Sequence, residues 1–209
     1  MNMRIFIDFD GTIVDVWQRY FAIFKNYFSL TDSFFSEYQK LKHLWPNDKE
    51  LVNHLFHLNE AEIDSYFHFK QDRLESMEYL RLDTLLAEPD SLKDFFKKTD
   101  AKVLTIRKNQ TAFFEQLDFM KIGFLKELAI VLEPQGKDTK YNWFSKSVKN
   151  EPFILIGDSE IDLKAGTLAN GTAVFVKTGL RDHKSLPNDL KHFRVFENIR
   201  ECFAFILAQ

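Results

Sequence analysis

Two carboxylates stand two residues apart in Asp8-Phe9-Asp10-Gly11-Thr12, at the end of the short apolar run from Met3 to Phe9. In a strand, residues two apart point to the same side, so both acids can converge where the strand ends. Two such charges are unfavourable together unless a cation or a shared proton intervenes. A second acidic group, Gly157-Asp158-Ser159-Glu160-Ile161-Asp162, follows the apolar run Phe153–Ile156. Asp158 and Asp162 share a face if a helix begins there. Helix-start acids that complement the dipole would by themselves account for Glu160 and Asp162, but not for carboxylates at two separate strand ends. Hard oxygen ligands from separate strand tips suit Mg²⁺. Thr105 ends the run Val103-Leu104-Thr105-Ile106, where a hydroxyl and a backbone N–H can hold one phosphate oxygen, although taken singly it reads as a β-branched residue ending a strand. Lys140 opens the stretch Tyr141-Asn142-Trp143-Phe144, with Lys137 just before it. A lysine at a helix start runs against the dipole preference and suggests an anion nearby, although taken alone either lysine reads as a solvated surface charge.

The elements that must position these groups alternate. After Pro89, helical patterns (90–98, 109–119, 139–148, 161–169, 198–207) interleave with apolar strand-like runs (101–106, 128–132, 153–156, 172–176, 193–196). Strands alternating with helices of this length imply a parallel α/β sheet, covered on both faces. Between the first strand and Pro89 the chain changes character. Tyr20, Phe21, Phe24, Tyr27 and Phe28 recur at helical spacing. Thr31-Asp32-Ser33 offers a cap for the next helix, which Pro46 and Asn47 end. Asp48 starts a third, and a long amphipathic segment runs from Glu60 to about Leu82. The insert reads as four helices and no strands. Glycine agrees: only seven occur in 209 residues, and none lies between Gly11 and Gly123. Such a gap favours helices over turn-rich β structure. The expected organisation is a Rossmann-like core of residues 1–15 and 87–209 with an all-helical domain, residues 16–86, inserted after the first strand. Parallel α/β sheets bind ligands at the carboxyl ends of their strands, so the insert is placed as a lid.

Composition narrows the functional classes. The net charge is −3, with 45% hydrophobic and 28% charged residues, as in ordinary globular proteins. Neither a nucleic-acid nor a membrane partner is suggested. One cysteine, Cys202, allows no internal disulfide, and acids interrupt the N-terminal apolar run where a signal peptide would need it. A cytoplasmic location is expected.

The order of these groups, Asp-x-Asp-Gly-Thr, then Thr, then Lys, then Gly-Asp with a further acid, resembles the haloacid dehalogenase superfamily of hydrolases over essentially the whole chain. FIDFDGTIVD matches the opening motif, VLTI the second, and ILIGDSEIDLKAGTLANGTAVFVKTG the last motif with its following strand. The resemblance implies a Mg²⁺-dependent phosphatase of a small phosphorylated metabolite. Asp8 would be the nucleophile that forms an aspartyl-phosphate, and Asp10 the general acid and base. Thr105 and Lys140 would bind the non-transferring oxygens, with Gly11, Ile106 and Arg107 beside the substrate. Asp8, the backbone carbonyl of Asp10, and Asp158 would ligate the metal, with Asp162 supporting them. An acid at position 10 favours phosphate esters over carbon–halogen or carbon–phosphorus bonds. Two departures stand out: Gly136-Lys137-Asp138 lacks the family's proline, which favours Lys140, and the spacing from lysine to Asp158 is short. A phosphomutase using the same phospho-aspartate, or an idle binding protein on this scaffold, are the alternatives. In the insert, Arg19 is a candidate contact for a second anionic group, against its reading as a surface arginine. His54 and His57 are a candidate metal pair, against solvent-facing residues, and Arg181 could reach the mouth of the site.

Overall fold

The computed structural model describes residues 3–148, 151–168, 170–186, 190 and 193–208. Six parallel strands form one sheet: β1 (Arg4–Ile7), β4 (Lys102–Ile106), β5 (Ala129–Leu132), β6 (Phe153–Gly157), β7 (Gly171–Val176) and β8 (Arg194–Phe196). Their order is β5-β4-β1-β6-β7-β8. The first strand therefore lies in the middle, with Ile7 level with Val103 on one side and Ile156 on the other. Because every strand points the same way, the residues after β1, β4 and β6 emerge along one edge.

Both faces of the sheet are covered, which is why its strands read as continuous apolar runs. Ile5, Ile7, Val103, Ile154 and Ile156 pack on one face against α6 (Pro89–Thr99), α7 (Gln110–Phe119) and α10 (Ile199–Leu207), through Phe95, Phe113 and Phe203. Phe6, Leu104, Phe153 and Leu155 point the other way. They meet Phe144 of α8 (Thr139–Ser147) and Ala165 of α9 (Glu160–Gly166). Ala169, the expected end of α9, lies outside the described residues.

The glycine-free segment holds α1 (Trp17–Phe28), α2 (Phe35–Leu44), α3 (Asp48–Phe56), α4 (Glu60–Leu74) and the single turn α5 (Met77–Leu80). It has its own core, centred on Phe21, Phe24, Tyr38, Leu51, Val52 and Tyr66. Asn47 caps α3, and Asn59 with Glu62 closes a capping box on α4. The expectation of a strand-free insert is corrected at its roots. Val14–Asp15 (β2) pairs antiparallel with Thr84–Leu85 (β3), so a two-stranded ribbon joins the two chain crossings. The helix expected to reach Leu82 ends at Leu74. There Glu75 turns its carboxylate to the backbone N–H groups of Lys108 and Asn109, at 3.1 and 2.7 Å, and so serves the start of α7. Thr31 precedes a short 3₁₀ turn, Asp32–Phe34, and α2 begins only after it. No helix of the described residues is long and apolar enough to cross a membrane.

Candidate active site

The loop behind β1 is wound tightly. Asp8 donates its N–H to the carbonyl of Ile156 at 2.8 Å, and the carbonyl of Phe9 accepts from Ile13 at 2.9 Å and from Val14 at 3.1 Å. Gly11 sits at a φ of 74°, where side chains are strained, and a Cβ there would lie 2.4 Å from Oδ2 of Asp158. A Cβ on Gly179, in the loop after β7, would lie 1.7 Å from the same oxygen. Both glycines leave the space that the Asp158 carboxyl fills. Thr178 ties the two loops together by donating its hydroxyl to the carbonyl of Gly11 at 2.6 Å.

Asp158 follows β6, and Ser159 caps α9 so that Asp162 falls in its first turn. One carboxylate oxygen from each of Asp8, Asp158 and Asp162 lies within 4.8 Å of the others, and all three residues are buried. Into this group projects Lys140, only 3% exposed. Its Nζ lies 2.7 Å from Oδ1 of Asp8 and 2.6 Å from Oδ1 of Asp162. Thr139 fixes the preceding loop, accepting from the N–H of Gln135 and donating to the carbonyl of Gly136, both at 2.8 Å. Three carboxylates against one ammonium leave two negative charges in a buried place. Burial and the charge of Asp162 push Asp8 up to about 7. Burial, then Asp8 and Asp162, hold Asp158 well above the usual carboxylate range. Among the described residues, Asp158 receives only a long contact from the Thr12 hydroxyl, at 3.5 Å. A divalent cation bound by oxygen matches this deficit in charge and in donor type.

Asp10 belongs to a different arrangement. Its Oδ1 meets Arg107 at 2.5 Å and Arg19 at 2.9 Å. Arg19 also reaches Asp83 at 3.2 Å and the carbonyl of Leu74 at 3.3 Å. Gln116 closes the ring, donating to Asp83 at 2.7 Å and accepting from Arg107 at 3.5 Å. Burial acts to raise the pKa of Asp10, but Arg107 and Arg19 outweigh it and hold the carboxyl below its usual range.

A cavity of about 620 Å³ opens over these groups, lined by Asp8, Asp10, Thr105, Ile106, Lys140 and Asp158 among others. Gly11 and Arg107 do not line it. Arg107, expected beside substrate, is spent on Asp10. Arg19 is corrected twice: it is fully buried rather than on the surface, and it faces Asp10 and Asp83 instead of the cavity. Lys137 lines the rim from an exposed position, and Arg181 does reach the cavity, paired with Glu160 at 3.2 Å. His54 stacks on Trp45 at 3.8 Å, while His57 ends α3 in a left-handed conformation. The two histidines thus have separate structural tasks. Sequence reasoning missed Asp83 and Gln116, and also Lys42, Asp48 and Lys70, which line the cavity from the insert. Single polar residues gave no signal for them; their burial in the folded chain is what marks them.

No family model matches this chain, and no curated protein matches it in sequence. Solved structures match it closely in shape. A predicted phosphatase from Clostridium acetobutylicum aligns over 100% of both chains with a TM-score of 0.70 at 16% identity. A predicted phosphoglycolate phosphatase from Haemophilus somnus 129pt aligns over 100% of this chain and 99% of its own, with a TM-score of 0.68 at 16% identity. A HAD family hydrolase from Deinococcus radiodurans R1, with bound phosphate and sodium, covers 98% of this chain and 95% of its own at 12% identity, with a TM-score of 0.65.

Proposed function

We propose that this chain, whose fold is that of the haloacid dehalogenase-like hydrolases, is a Mg²⁺-dependent phosphatase of a small phosphorylated metabolite. The reading is carried by one observation: three buried carboxylates and one buried lysine share a site that lacks two positive charges, at the strand ends beneath a cavity. Asp8, the backbone carbonyl of Asp10, and Asp158 would hold the metal, with Asp162 orienting Lys140 and supporting the set. When bound, Mg²⁺ supplies positive charge between the carboxylates and the phosphoryl oxygens.

In the reaction we infer, an Asp8 carboxylate oxygen attacks phosphorus while the bond to the ester oxygen breaks, giving an aspartyl-phosphate. Asp10 gives its proton to the departing oxygen. It then takes a proton from the water that attacks the phosphoryl group, which releases inorganic phosphate and restores Asp8. The two arginines keep Asp10 ionised before substrate arrives. An incoming phosphoryl dianion acts against those cations and raises Asp10 toward the range where it holds a proton. Lys140 steers Asp8, and Thr105, only 2% exposed, offers its hydroxyl to a non-transferring oxygen. Residues 16–86 act as a cap that closes the cavity to bulk water, over a catalytic core of 1–15 and 87–209. A reducing cytoplasmic setting fits the lone, buried Cys202.

The test is hydrolysis of an aryl phosphate by the wild type with Mg²⁺ and with chelator, beside Asp8→Asn. Turnover that needs both the metal and Asp8 supports the reading. Wild-type turnover no greater than that of Asp8→Asn, across the divalent metals, overturns it.

A further inference from the structure

The insert lines the same cavity with two lysines of its own. Three different helices contribute. Lys42 of α2 and Lys70 of α4 both pair with the carboxylate of Asp48 at the start of α3, one on each oxygen. All three residues are buried or nearly so and line the same cavity as Asp8 and Asp10. One carboxylate balances only one of the two ammonium groups. The surplus is not solvated away, because Lys70 is 14% exposed and lies 4.7 Å from the Tyr20 ring. Each ammonium has three N–H donors. Lys42 uses two, on Asp48 and on the carbonyl of Pro46 at 2.8 Å, whereas Lys70 has one hydrogen-bond acceptor, Asp48. Among the described residues, that leaves three donors without an acceptor. Arg181, itself paired with Glu160, adds positive potential nearby, and Glu50 stands at the rim in solvent.

A staple between helices would need a single lysine for a single aspartate. A second buried cation beside a ligand-sized space, with spare donors, is what an anionic ligand group balances; a neutral hydroxyl supplies acceptors but no charge. We propose that Lys42 and Lys70, held as a pair by Asp48, form a second anion site, and that the substrate is a phosphomonoester carrying another anionic group, carboxylate or phosphate. This rests on the phosphatase reading for the end that holds the ester.

The test compares esters of one carbon skeleton: propyl phosphate, 3-phosphooxypropanoate and propane-1,3-diyl bisphosphate, with longer spacers in parallel. A charge-assisted pair of hydrogen bonds predicts kcat/KM about 10- to 100-fold higher for an anionic member than for propyl phosphate. The carboxylate and bisphosphate arms tell the two anions apart. Lys70→Met leaves Lys42 and Asp48 as a balanced pair, and the preference should fall to within about threefold of unity. Titration calorimetry of propylphosphonate against 3-phosphonopropanoate needs no turnover and no variant. At least tenfold tighter binding of the second ligand supports the anion site, even if no ester is hydrolysed and the phosphatase reading fails. Equal affinity, or equal kcat/KM at every spacer length while an aryl phosphate is turned over, overturns the anion site and leaves the phosphatase reading standing.

Discussion

Replacing Lys140 with methionine keeps the length of the side chain and deletes the one cation inside the carboxylate group. Nζ lies 2.7 Å from Asp8 and 2.6 Å from Asp162, and side-chain exposure is 4% for the lysine and 1% for Asp162. At an effective dielectric near 20, each contact gains about 6 kcal/mol of Coulomb energy. Taking the ammonium out of water cancels several kcal/mol of that, so a net loss of about 3–5 kcal/mol is expected on deletion. Protonation sets a ceiling. With the lysine gone, one of the crowded carboxylates can take a proton in its place, and that remedy becomes costlier by about 1.4 kcal/mol for each pH unit above its pKa. The variant should therefore be destabilised more at pH 8 than at pH 5. Divalent cation should stabilise it more than the wild type, because three negative charges now face the ion instead of two. Urea unfolding at both pH values, with chelator and with millimolar Mg²⁺, measures all of this. A variant as stable as the wild type in chelator, or one that loses more at pH 5 than at pH 8, would refute the reasoning.

Gly179→Ala drives a Cβ into the Asp158 carboxyl, at 1.7 Å before relaxation. Overpacking of this kind costs about 1–3 kcal/mol, and the displaced carboxylate should raise the Mg²⁺ concentration needed for half-maximal thermal stabilisation at least tenfold; an unchanged metal response would contradict the placing of Asp158. Arg19→Met strips a fully buried guanidinium from Asp10 and Asp83, so about 3–5 kcal/mol of stability should disappear in denaturant titrations. Arg19→Lys should recover less than half of it, since one ammonium cannot reach Asp10, Asp83 and the Leu74 carbonyl together. Asp8 and Asp83 are both pushed up to about 7, mainly by burial. The native state thus holds more protons than the unfolded chain between about pH 4 and 7, and metal-free stability should fall as pH rises through that window. Calorimetric melting in chelator checks the slope, and a rise in stability over that range would count against it.

The acids and their strands were legible because two constraints coincide at each. Asp8 and Asp158 end runs that can only be buried parallel strands, and carboxylates in that position demand a counter-charge. Lys140 was less legible: a lysine at the head of a helix also reads as a solvated surface charge, and only the order of the motifs favoured it over Lys137; in the fold it meets Asp8 and Asp162. Arg19 could not be read correctly. A charged side chain among Val16, Ala22 and Ile23 reads as an exposed exception on its helix, and its partner Asp83 stands at the far end of the insert, so the two meet only where the β2–β3 ribbon brings the ends of the insert together. Lys42, Asp48 and Lys70 present the same difficulty, since each is an ordinary helix residue until three helices pack and bury them around one carboxylate. The break at Glu75 was hidden for a related reason: its side chain serves the backbone of α7 rather than its own helix.

The proposed reaction turns on Asp8 as the nucleophile toward phosphorus. Rapid acid quench of wild-type protein mixed with Mg²⁺ and a phosphoryl-labelled aryl phosphate, followed by peptide mapping, tests that directly. The label should be found on the peptide containing Asp8, should be released by hydroxylamine as an acyl phosphate is, and should be absent from Asp8→Asn. Hydrolysis proceeding at the wild-type rate in Asp8→Asn, or a label on any other residue, would contradict the account.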